Sequence, residues 1–225
     1  MIPFKLTLTL ATPFISDFPI TLDGILSAAI FRKLGHKGAD TIPFIPLMRE
    51  QGIFKSSSLH YTQNFTHTTI PRVMSLRGES DLSINAFAPN SKKGARYLAV
   101  DKKRGPYKTN LESIQAIDAP EVFFWAVGNP EEVVQLILDY IPGIGKRSNA
   151  GAGQILDVFF EYQADDYSWV SAKGLPARPL PVSIWSSISD IDPSSLPRAP
   201  MAVDVPYWSG ESVEAVFPSP IIHLR

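Results

Sequence analysis

Four glycines, Gly143, Gly145, Gly151 and Gly153, bracket Lys146, Arg147, Ser148 and Asn149 in the string GIGKRSNAGAGQI. Glycine lets a backbone come close to a partner, and two cations beside exposed amides make an anion cradle. The string is not a nucleotide P-loop, because Tyr140 stands at the first Gly position and Arg147 at the final Ser/Thr position. Nor is it a dinucleotide fingerprint, since Ser148 replaces the third glycine and the loop leaves a helix to enter a strand. Two readings remain open: a turn that approaches a phosphate backbone, and an ordinary basic loop after a glycine helix stop.

A second polyanion signal lies upstream. Between Asn90 and Asn110, Lys92, Lys93, Arg96, Lys102, Lys103, Arg104 and Lys108 face only Asp101, with Tyr97 and Tyr107 among them. Aromatic faces between cations suit unstacked bases, and a solvated hairpin has the same composition. The four histidines are scattered. His36 follows the first predicted helix near Lys33 and Lys37, where it reads either as a general base or as a solvated helix-end residue. His60 and His67 read as RNA contacts or as plain hairpin positions, and His223 carries no signal. There is no Cys, no His-Glu-x-x-His and no Gly-x-Ser-x-Gly, so thiolate, zincin and hydrolase chemistry find no residues and no cofactor is expected.

The elements that position these residues follow from periodicity. Lys5 to Leu10 alternates as a half-buried strand, with Leu6, Leu8 and Leu10 on one face. Thr21 can cap a helix carrying Leu22, Ile25, Leu26, Ala29 and Ile30, which Gly35 stops. From Thr41 to Lys108 prolines punctuate short runs, an excursion from the core. Leu111–Ile117 and Glu121–Val127 then read as an antiparallel pair around Asp118–Pro120. In NPEEVVQLILDYIPG, Asn129 caps, Pro130 takes the first helical position and Glu132 closes a capping box. Gln154–Tyr162 completes a β-α-(insertion)-β-β-α-β order. That order predicts an α+β, ferredoxin-like (RRM-like) split βαβ palm over residues 1–163 with a basic thumb inserted at about 41–108. Residues 164–225, which hold nine of the 20 prolines, read as an extended Pro-rich segment packed on the body or on a partner.

Length and composition agree with a soluble globular chain: 225 residues, 44% hydrophobic, 19% charged. The formal charge of -1 hides a division, because residues 1–150 hold 17 Lys/Arg against 13 Asp/Glu and residues 151–225 hold 4 against 9. The alternating N-terminus and the lack of any long apolar run predict neither secretion nor membrane spanning, and the lack of cysteine fits a reducing cytoplasm.

Taken together, the N-terminal strand leading into ITLDGILSAAIFRKLG, then RGPYK, then the glycine-rich ending resemble the RAMP superfamily of CRISPR-associated proteins. More narrowly, they are similar to the type IV subunit that caps the 5′ end of the guide RNA. The resemblance implies a noncatalytic subunit of an antiviral ribonucleoprotein. Its glycine-rich loop, Gly143 to Gly153 led by Lys146 and Arg147, and its thumb residues Arg72, Arg77, Lys92, Lys93, Arg96, Lys102, Lys103, Arg104, Tyr107 and Lys108 would hold the 5′ handle. Related loops often place an aromatic where Ala152 stands. Implied partners are the guide RNA, the backbone RAMP subunit and the large subunit, with contact to target DNA left open. Two alternatives stand beside this one: a metal-independent endoribonuclease with His36 as its first candidate, and a scaffold that contacts only protein.

Overall fold

A computed structural model describes residues 1–17, 19–74, 88–89, 98–99, 110–208 and 211–218. The chain opens with β1 (Ile2–Leu10), α1 (Leu22–Leu34), a 3-10 segment Gly38–Phe44 and three two-residue strands, β2 (Arg49–Glu50), β3 (Ile53–Phe54) and β4 (His60–Tyr61). Then come β5 (Thr66–Met74), β6 (Ala88–Pro89), β7 (Leu98–Ala99), β8 (Asn110–Asp118), β9 (Glu121–Gly128), α2 (Pro130–Tyr140) and β10 (Ile155–Tyr162). The last elements are β11 (Leu180–Pro181), α3 (Val182–Ile188), β12 (Arg198–Met201) and β13 (Val213–Val216). The fold class is α+β, with antiparallel sheets.

Two compact units result, residues 1–67 with 117–225, and residues 68–116. Residues 41–67, which the prolines mark as an excursion, fall in the first unit. There β3 pairs with β2 and β4 pairs with β9. The second unit holds β6 paired with β7, and β5 paired with β8.

The main sheet of the first unit has the order β10-β1-β9-β4, antiparallel throughout. Period-two alternation sends Phe4, Leu6, Leu8 and Leu10 of β1 to one face, beside Val122, Phe124 and Ala126 of β9. Leu22, Leu26 and Ile30 of α1 and Val133, Leu136 and Ile137 of α2 pack into the same core, so both helices cover that face. Each burial of such a side chain contributes about 1.5–3 kcal/mol. The caps differ in detail from expectation. Thr21 is the N-cap of α1 without a side-chain bond, and Gly35 ends the helix in the left-handed conformation at φ +76°. Asn129 Oδ1 accepts from the Glu132 N–H, but the Asn129 N–H goes to Pro46 O, so Glu132 meets the Asn129 side chain instead.

β8 and β9 do not form the expected hairpin. The turn at Asp118–Pro120 exists, yet β9 enters the main sheet while β8 pairs with β5. The edge that a hairpin would need at the end of β8 is already used, because Ile117 exchanges both backbone bonds with Phe14 at 2.9 Å.

After Ala164 the chain builds a three-stranded sheet, β11-β13-β12, and a second small core of Ile53, Trp169, Leu180, Trp185 and Val216. Both buried indoles find acceptors: Trp169 Nε1 donates to Phe54 O and Trp185 Nε1 to Ile191 O, each at 2.9 Å. A buried polar knot ties this region to the start of α1. Arg178, fully buried, donates to Phe54 O (2.8 Å), Ser56 O and Oγ (3.2 Å), Val203 O (2.8 Å), Tyr207 Oη (2.8 Å) and Asp23 Oδ2 (3.4 Å). Asp23, equally buried, also accepts from Ser56 Oγ (3.0 Å) and Tyr207 Oη (2.6 Å).

Candidate nucleic-acid interface

The glycine-rich loop runs from the end of α2 to β10. It is stitched to the residues after β1: Lys146 N–H donates to Ile15 O (2.7 Å), Gly153 N–H to Pro13 O (2.9 Å) and Ile144 N–H to Gly153 O (2.9 Å). Thr12 Oγ1 donates to Gly151 O (2.7 Å) and accepts from Gln154 N–H (3.0 Å). At Gly145, φ is +77° and a Cβ would lie 2.4 Å from Ile15 O; at Gly153, φ is +61° and a Cβ would lie 2.3 Å from Ile144 O. The close backbone approach that glycine density implies is therefore real, but its partner is the protein's own chain. Several amides expected to be bare are bonded internally. Among the described residues no hydrogen bond uses the N–H groups of Ser148 and Asn149, which begin the 3-10 turn Ser148–Ala150.

The side chains divide in a similar way. Gly143, Ile144, Ala152 and Gly153 are buried, so no aromatic fits at position 152 without displacing core. Lys146 is 54% exposed and forms an ion pair with Asp17, itself largely exposed. Arg147 adopts the left-handed conformation at φ +60°, and Ser148 and Asn149 lie beyond it on the rim. Loop and helix together bound a cleft of about 350 Å³. Its walls include Gly143, Gly145 and Ser148 on one side, Gly24, Ala28 and Arg32 of α1 on the other, and Tyr207. Arg32 donates to Tyr140 O, the carbonyl at the end of α2, which holds its guanidinium against the loop.

The other expected site residues are scattered. Arg72 lies on β5 and pairs with Glu112 at 3.7 Å. Arg77, Lys92, Lys93, Arg96, Lys102, Lys103, Arg104, Tyr107 and Lys108 lie outside the described residues. His36 stacks on Phe44, ring centroids 4.8 Å apart, and His67 is exposed against the edge of Phe65. His60 cannot meet a ligand: it is buried on β4, its Nε2 bonded to Ala177 O (2.9 Å) and its ring against Trp125 and Phe123. An isolated histidine in a Ser-rich run gives no sign of that burial.

The knot that sets the far wall of the cleft escaped sequence reasoning, because Asp23 and Arg178 are 155 positions apart and Asp23 looks like an ordinary first-turn carboxylate. Burial alone would push the Arg178 guanidinium down, yet the Asp23 carboxylate and Tyr207 hold it above its ordinary range. Burial likewise pushes the Tyr207 phenol up, against the pull of Arg178. Among the described residues no cluster of His, Asp and Glu is arranged to hold a metal ion, and no helix is long and apolar enough to cross a membrane.

The sequence matches the family model of CRISPR type IV associated protein Csf3 over residues 2–218, and the chain belongs to that family. A comparison with curated proteins found no match. Among solved structures, the chain is similar to one in the cryo-EM structure of the Type III-B Cmr-beta bound to cognate target RNA. The two are 14% identical with a TM-score of 0.36, and the likeness covers 72% of this chain and 61% of that one. It thus spans less than two thirds of that neighbour's length.

Proposed function

We propose that this member of the type IV family is a noncatalytic subunit of a CRISPR effector ribonucleoprotein that grips the 5′ handle of the guide RNA and caps the backbone filament. The palm is ferredoxin-like in this reading, supported by the order β10-β1-β9-β4 with both helices on one face. The observation that carries the functional reading is the cleft between the glycine-rich loop and α1. Arg32 and Ser148 line it, and Lys146, Arg147 and Asn149 stand beside Ser148 in the same loop. Cations and amides around an open groove hold phosphates through charge-assisted bonds and need few contacts to base edges. The pair Lys146–Asp17 does not prevent this. An exposed pair is worth about 0–1 kcal/mol and exchanges readily for a phosphate. The backbone RAMP subunit and the large subunit are its protein partners.

The test is a titration of the purified chain, or of the assembled complex, with labelled repeat RNA at several salt concentrations in EDTA. Several phosphate contacts give log K against log salt a slope of about -0.7 per contact. Lys146→Ala with Arg147→Ala is expected to lower the affinity and the slope while the thermal transition stays in place. Unchanged affinity in that variant moves the site elsewhere, and no affinity at low salt leaves only a protein scaffold. A cut in the RNA that His36→Ala abolishes overturns the noncatalytic assignment.

A further inference from the structure

Trp208 is 76% exposed, more than any other large apolar side chain among the described residues. It borders a groove of about 450 Å³ whose floor is Gly24, Ser27 and Ala28 of α1 and whose other walls are Phe31, Gly38 and Thr41. Phe31 is itself 47% exposed. The two rings line one groove, yet among the described residues they make no ring contact with each other, so the space between them is open to a third planar group. The neighbours of Trp208 are held in place. A Cβ at Gly24 would lie 3.3 Å from the Tyr207 ring, Tyr207 is tied to Asp23 and Arg178, and Pro206 packs on Gly38.

The segment that forms the α1 side of the groove carries net positive charge. Between Gly24 and Phe44 stand Arg32, Lys33 and Lys37, and Asp40 is the only acid. Lys37 lines the groove itself. An apolar side chain from a protein partner would fill such a slot but leave Lys37 without a role. A single-stranded nucleic acid uses both, the base between the rings and a phosphate on Lys37.

We propose that this groove captures one unstacked base of single-stranded RNA between Trp208 and Phe31, with Lys37 on the adjoining phosphate. The inference rests on the RNA reading of the loop, because Gly24 and Ala28 line both clefts and one strand can run from one to the other. The experiment compares the wild-type chain, Trp208→Ala, Trp208→Phe and the Lys146→Ala/Arg147→Ala variant for binding of fluorescein-labelled oligouridylate by anisotropy. Stacking on one aromatic is worth about 1–3 kcal/mol per base, so Trp208→Ala should weaken binding by about 5- to 150-fold, while Trp208→Phe retains most of the affinity. RNA should also shield the wild-type indole from acrylamide quenching. The exposure of Trp208 makes its substitution safe for folding, which circular dichroism verifies.

If Trp208→Ala binds as the wild type does while the loop variant is weakened, the base slot is wrong and the handle-binding reading survives. Weakening in Trp208→Ala alone keeps the slot and removes the loop. Unchanged RNA affinity with lost incorporation of Trp208→Ala into the assembled complex assigns the groove to a protein side chain and overturns the proposal. No binding by any form overturns both readings.

Discussion

Replacing Arg178 by Met tests whether the polar knot holds the C-terminal region to α1. The guanidinium is fully buried and makes six hydrogen bonds, to three carbonyls, two hydroxyls and the Asp23 carboxylate. Removing it strands a buried carboxylate that keeps two donors, Ser56 Oγ and Tyr207 Oη. It also orphans Ser56 O and Val203 O, whereas Phe54 O keeps Trp169 Nε1. Breaking one side of a buried ion pair costs about 3–5 kcal/mol. For a chain of this size each kcal/mol moves Tm by about 2–4 °C, so the transition should fall by roughly 6–20 °C. Urea unfolding followed by circular dichroism gives the free energy, and Asp23→Leu with Arg178→Met closes a double-mutant cycle. Because the pair replaced together leaves no unmatched charge, the double variant should be more stable than the sum of the singles by about 1–3 kcal/mol. A cost below about 1 kcal/mol for Arg178→Met, or additivity within about 0.5 kcal/mol, would show that the knot does not bear on stability in this way.

Two further predictions concern the loop and the acid limb of stability. Gly145→Ala meets Ile15 O at 2.4 Å with φ +77°, whereas Gly151→Ala, at φ +91°, meets nothing within 4 Å. The first should cost more than about 2 kcal/mol and the second about 1–2 kcal/mol, read as urea midpoints, and equal costs would contradict the stitching to Pro13–Ile15. Asp166 lies at the surface with its carboxylate partly covered. Its burial raises the carboxyl pKa, but hydrogen bonds from Lys55 and Ser168 outweigh that and hold it below the ordinary value. A depressed folded pKa contributes stability that is present above the unfolded value, about pH 4, and is lost as pH falls through the folded one. Asp166→Asn should therefore be less stable than wild type at pH 7 and lose less on acidification below pH 4. A parallel fall of Tm with pH in both proteins would refute the assignment.

Elements whose information is local were readable from the residues. Asn129-Pro130-Glu131-Glu132 followed by Val133, Leu136 and Ile137 marks a helix by cap and period, and that helix is α2. Leu6, Leu8 and Leu10 mark a strand, and that strand is central in the main sheet. What failed depends on distant partners. The turn at Asp118–Pro120 is visible in sequence, but which sheet each flanking strand joins is decided by Phe14 and by β5. Residues after Ala164 show no period, because Trp169, Leu180, Trp185 and Val216 come from different short elements that share one core. The burial of His60 is set by β9 and by Ala177, far along the chain.

The glycine-rich loop joins these two classes, and the way it does so decides how it would bind. Its composition announces a close backbone approach, and the approach is made to Pro13–Ile15, so the shape of the loop is fixed before any ligand arrives. A strand of RNA would meet a rim already in place, with little ordering cost left. The groups offered to it in this reading are not the glycine amides. They are the N–H of Ser148, the side chains of Lys146, now paired with Asp17, and of Arg147, which also has a partner, and Arg32 bonded to the end of α2. Affinity at this cleft should therefore follow the cations and the salt, while the glycines act one step earlier, by setting the distance between loop and helix.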